Sequence, residues 1–162
     1  MNPVDAIGME QVCVRLAVAV LIGGVFGLNR ELHGKPAGLR THALVTLGAS
    51  LATMLTLQSR LVDAGPDANA LGRIIQGILT GVGFLGAGVI LRDTAGHVTG
   101  LTTAATIWVC AGLGIACGLG YWSLVGVSGG LVLAVLLFGR RIELAAEHMF
   151  KRRSDEPPDH GV

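Results

Sequence analysis

The sequence predicts an all-α, polytopic transmembrane helix bundle of about five spans, and three observations carry that prediction. Apolar residues make up 51% of the chain and charged residues only 14%, against about 25% charged in a soluble domain. Glycine occurs 25 times in 162 residues, a richness that soluble helices avoid and membrane helices use for close backbone approach. The charged residues are also segregated, leaving charge-poor runs close to the ~20 residues that cross a bilayer.

The first span is read as Val12–Leu28, with Arg15 near its outer end. No Lys or Arg precedes it, so it is expected to be a retained span rather than a cleaved signal. Thr41–Gln58 and Ile74–Leu91 follow. From Thr94 to Gly139 there is no Asp, Glu, Lys or Arg. That stretch is too long for one crossing, and the turn at Gly118–Trp122 divides it into Leu101–Leu119 and Trp122–Phe138. Tyr121 and Trp122 suit an interface. Helices are expected because no water satisfies backbone groups inside a bilayer. Residues 1–150 are read as the membrane domain. Within it Arg140–Phe150 continues the last helix, and 151–162 is read as a disordered tail.

Arg30, Lys35, Arg40 and Arg92 fall in the loops on one side, with Arg140, Arg141, Lys151, Arg152 and Arg153. The other side holds Arg60 and Arg73, offset by Asp63 and Asp67. The positive-inside rule therefore expects the N-terminus outside and the C-terminus cytoplasmic.

An internal repeat emerges when Arg30 is laid on Arg92. Gly34, Gly38, Leu39, Thr41 and Ala43 then fall on Gly96, Gly100, Leu101, Thr103 and Ala105, and Glu31 falls on Asp93. Two helical hairpins of the same orientation, plus one extra helix, are the expected architecture. The repeat implies equivalent roles for Arg30 and Arg92.

Gly81-Val-Gly83-Phe-Leu-Gly86 fits a dinucleotide-binding pattern but lacks the strand before it and the acid after it. Helix packing is the better reading for Gly77, Gly81, Gly83, Gly86 and Gly88. Gly23/Gly27, Gly77/Gly81, Gly114/Gly118 and Gly126/Gly130 share GxxxG spacing, which opens a face to a crossing helix or to a second copy of the chain. The repeated loops are the candidate site. They gather basic side chains, Glu31 and Asp93 beside the starts of new helices, where anions are favoured. Cys13, Cys110 and Cys117 read as small hydrophobes. His33, His42 and His97 show no ligand spacing, and no metal, cofactor or nucleophile–base pair is expected, so the chain is not read as an enzyme. The net charge of +1 marks no nucleic-acid partner. The lipid bilayer is the expected environment.

Several motifs in order resemble the MgtC/SapB family: Gly27-Leu-Asn-Arg30-Glu31, Pro36-Ala-Gly-Leu-Arg-Thr-His-Ala-Leu-Val45, Gln76 through Ile90, and Gly100-Leu-Thr-Thr-Ala-Ala-Thr-Ile-Trp108. The resemblance implies a bacterial inner-membrane protein linked to magnesium limitation and, in pathogens, to survival inside host cells. It implies a regulatory or accessory role exerted on membrane partners, the proton-translocating ATP synthase among them. It lays the family's motif residues on Arg30, Glu31, Arg40, Thr41, Arg92, Thr102 and Thr103. Virulence-type members carry a soluble domain after the spans that this sequence lacks, and functions resting on that domain are not implied here. The alternative is a transporter or channel for magnesium or another cation. Its difficulty is that the spans hold no Asp or Glu, whereas magnesium favours carboxylate oxygens and water. Binding of a lipid or phosphate ligand at the basic face is a weaker third reading.

Overall fold

A computed structural model of the chain describes residues 7–62, 68–92 and 97–154. Five helices correspond to the five expected spans: α1 (Met9–Leu32), α2 (Leu39–Val62), α3 (Ala68–Val89), α4 (Leu101–Leu119) and α5 (Trp122–Ser154); the third expected span, Ile74–Leu91, runs two residues past the end of α3. Between α3 and α4 a two-residue ribbon, β1 (Leu91–Arg92) and β2 (Val98–Thr99), pairs antiparallel, with Leu91 opposite Thr99. Among the described residues four helical stretches are long and apolar enough to cross a membrane: Met9–Leu32, Asn69–Val89, Leu101–Leu119 and Trp122–Gly139. The exception is α2, which is as long as α1 but carries His42, Thr46, Ser50, Thr53 and Thr56.

The chain divides into two compact units, Met1–Gly129 and Gly130–Val162. The second is helical from Gly130 to Ser154, so helix enters the first residues of the segment expected as a disordered tail. Residues 155–162, Asp63 and Asp67 lie outside the described residues.

Within the first unit, α2 and α4 run parallel and α1 runs antiparallel to both. The helices meet at backbone distance. A Cβ at Gly23 would lie 2.5 Å from the His42 carbonyl oxygen, and one at Gly27 would lie 2.6 Å from that of Gly38. On α4, a Cβ at Gly114 would meet Thr46 O and lie 2.9 Å from Ala49 Cβ, and one at Gly118 would lie 2.7 Å from Ser50 O. The GxxxG pairs of α1 and α4 thus both close onto α2, as small residues at a crossing allow.

This places the polar row of α2 inside. His42, Thr46, Ser50 and Thr53 are fully buried. The threonines satisfy themselves on the preceding turn: Thr46 donates to His42 O at 2.7 Å and Thr53 to Ala49 O at 2.8 Å, the local bonding open to hydroxyls in helices. Apolar side chains complete the core in two clusters. Ala37, Ala49, Val82, Ile107, Ala111 and Ile115 form one; Ala19, Ala116, Cys117 and Val125 form the other. Large apolar groups face outward, Phe84 with 80% of its surface exposed. That inversion suits a lipid surround. Of the cysteines, Cys110 and Cys117 are buried as expected, whereas Cys13 is exposed.

A Cβ at Gly77, Gly81, Gly83 or Gly88 would meet nothing within 4 Å, so these residues make no close crossing among the described residues of the first unit. The GxxxG spacing is real, but it lies on the side of α3 turned away from α2 and α4. Gly86 does face inward, with Ala104 Cβ at an ordinary 3.5 Å. Arg15, near the outer end of α1, donates from Nη1 to the Gly118 carbonyl at 2.7 Å. There α4 ends at Gly120 in the left-handed region, φ 77°, with Tyr121 N bonding back to Ala116 O. A cation at a helix C-terminus has the favourable sign for the helix dipole.

Gly114→Leu is expected to overpack the α2–α4 crossing by at least ~1–3 kcal/mol, and Gly77→Leu to leave stability unchanged. Thermal unfolding of both variants in detergent checks the contrast.

Candidate functional site

The site forms where α1 ends and where α2 and α4 begin. The first hairpin turns tightly. Lys35 N bonds to Arg30 O and Gly34 N to Glu31 O, with Gly34 at φ 63°, the pattern that closes a helix through a left-handed glycine. This turn aims two neighbouring side chains in different directions. The Glu31 carboxylate reaches forward and accepts the Leu39 N–H at 2.9 Å. An acid at a helix start satisfies an otherwise free amide and complements the dipole.

Arg30 turns inward. Only 6% of its surface is exposed, and Nη2 donates to Thr103 Oγ1, in the first turn of α4, at 2.6 Å. Its Nε has no hydrogen-bond partner. Nearby, His42 is fully buried. Its Nδ1 bonds to Gly38 O at 2.9 Å, and its Nε2 has no partner. Outside these, a cleft of about 500 Å³ opens beside Glu31, Lys35, Pro36, Leu39, Arg40 and Thr41.

The expected cluster is therefore split into two settings. Glu31, Lys35, Arg40 and Thr41 share the exposed cleft. Arg30 and Thr103 form a buried pair, while Thr102 is exposed on the start of α4. Arg92 lies in β1; its side chain and Asp93 fall outside the described residues. The hairpins are both present, but their connections differ. Arg30 is helical, whereas α3 has already ended at Val89 before Arg92. Thr41 is exposed and its repeat counterpart Thr103 is buried. The sequence overlay is thus not an equivalence of environments. His42 and Ser50 were missed as buried polar groups. The signal was available: His42, Thr46 and Ser50 recur every fourth residue, one face of a helix.

Residues 16–145 match the MgtC family. The chain belongs to the MgtC family. Among relatives, it is 48% identical over 117 residues to Protein SrpB of Synechococcus elongatus, covering 68% of this chain and 64% of that protein. It is 44% identical over 107 residues to Protein MgtC of Salmonella typhimurium, covering 66% of this chain and 43% of that protein. With Protein MgtC of Brucella abortus it shares 36% over 148 residues, covering 91% of this chain and 59% of that protein. The chain spans less than two thirds of each of these MgtC-family relatives. No solved structure matches. The match includes α1 from its second turn, all of α2–α4 and the start of the α5 extension, so both settings of the site lie inside the family region.

Glu31→Ala is expected to remove roughly 1 kcal/mol from the start of α2 and to speed amide exchange at Leu39. Exchange at Leu39 as slow as in the unaltered chain would show that the carboxylate does not hold that amide.

Proposed function

We propose that this member of the MgtC family is a non-enzymatic accessory protein of the bacterial inner membrane that receives a helix of a membrane partner on the outer side of α3. Its role would be to modulate ion or energy homeostasis, magnesium homeostasis in particular, with the ATP synthase one candidate partner by family resemblance. The N-terminus would lie outside and the C-terminus in the cytoplasm.

The observation that carries this reading is the open face of α3. Gly77, Gly81 and Gly88 leave backbone uncovered, and Gln76, Thr80 and Phe84 are exposed along the same side. Glycine gaps admit a helix closely, and amide or hydroxyl groups can bond across it, at about 0.6–2 kcal/mol each in lipid. A second copy of the chain would meet the same requirements. The cation-transport alternative has less support. Among the described residues no three His, Cys, Asp or Glu side chains gather as a metal site, and Glu31 is committed to the start of α2.

A photo-cross-linking residue at Gly81 is expected to yield a discrete membrane-protein adduct in cells, and one at the lipid-facing Val127 is not. Gly77→Leu should suppress the adduct. Identical patterns at both positions would remove the docking face. Magnesium flux into liposomes holding the folded chain, abolished by Glu31→Gln, would replace the accessory reading with transport.

A further inference from the structure

The two helices that begin at this end of the bundle start differently. The first amide of α2 is satisfied by the Glu31 carboxylate. On α4 the residue before the start is Gly100, at φ 90°, and it makes no side-chain cap bond. The first intrahelical bond there runs from Ala104 N to Gly100 O. The N–H groups of Leu101, Thr102 and Thr103 precede it, at the positive end of the helix dipole.

Into this setting the fold brings a cation. The Arg30 guanidinium sits on Thr103 Oγ1, so its charge has the same sign as the helix end it touches. That is the unfavourable placement, opposite to Arg15 at the far end of α4. Arg30 is also nearly fully buried, with Nε unbonded. The carboxylate next to it in sequence, Glu31, is turned away to Leu39. An uncompensated buried charge is costly, and a membrane bundle raises that cost. Among the described residues the guanidinium N–H groups and the helix amides meet here; the Thr103 hydroxyl accepts from Arg30 and keeps its own hydrogen to donate. Leu101 and Thr102 are exposed among the described residues.

We infer that Arg30, Thr103 and the first turn of α4 form a binding site for a phosphate-class oxyanion. A tetrahedral oxyanion suits both the fork of a guanidinium and the amides of a helix start. It resolves the like-charge contact and occupies the same position on α4 that the Glu31 carboxylate occupies on α2. The same chemistry is offered by a phospholipid headgroup and by dissolved phosphate.

The purified full chain would be melted in neutral detergent under two comparisons. One sets sodium phosphate against sodium gluconate at equal ionic strength. The other sets micelles doped with phosphatidylglycerol against micelles doped with phosphatidylcholine. A saturable rise in melting temperature is expected with phosphate or with phosphatidylglycerol; the former identifies a dissolved anion and the latter a lipid. Arg30→Gln should weaken half-saturation by about tenfold. If Arg30→Gln does not fold, Thr103→Val, which keeps the side chain's shape and removes the hydroxyl, carries the same comparison. Melting that is indifferent to both probes would overturn the site, and is the result expected if Asp93 supplies the counter-charge. Wild-type half-saturation in the folded variant would overturn it equally.

Discussion

Gly23 and Gly27 on α1, with Gly114 and Gly118 on α4, let two helices rest directly on the backbone of α2. No side chain larger than hydrogen fits at those crossings. The approach matters because of what lies between the helices. A row of hydroxyls and an imidazole would be expensive against lipid, and the crossings enclose it in protein instead. The outward faces can then be left to large apolar side chains.

Enclosure is not the same as satisfaction. The threonines bond to carbonyls of their own helix, and the row is self-sufficient where they stand. Arg15, Arg30, His42 and Ser50 each keep one buried polar atom without a hydrogen-bond partner, and all four lie along α1 and α2 where these border α4. The interior of this bundle is therefore polar at defined points and apolar elsewhere, and the functional questions concentrate at the polar points.

The spans were legible because charge is scarce in them, Arg15 alone standing inside one. The break between the fourth and fifth spans was also legible in the Gly118–Trp122 turn, where α4 ends at Leu119 and α5 begins at Trp122. Which glycines pack was not legible. Gly23/Gly27 and Gly77/Gly81 have identical spacing, and only the placement of neighbouring helices decides which pair is covered. Arg30 was legible as a candidate through the repeat and the family motifs. Its burial was not, because a basic residue beside a loop reads as a topology marker whichever way it turns. The overlay of Arg30 on Arg92 aligns two hairpins whose connections differ: α3 stops at Val89 and a ribbon begins, so matched letters sit on unmatched backbones. The polar row of α2 was hidden for a different reason. Threonine and serine lower the apolar signal of a span without marking which side they occupy.

Arg15 and Arg30 grip α4 at Gly118 and Thr103. The two arginines are fifteen positions apart on α1, and their targets are fifteen apart on α4. At about 1.5 Å per residue each interval is roughly 22 Å, and the helices run in opposite directions. The first helix therefore acts as a gauge for the fourth. A residue inserted or deleted between either pair of grips would rotate one end by about 100° and slide it by about 1.5 Å, so that only one arginine could keep its hold. Point substitutions can drift within these two stretches, but their lengths are tied to one another.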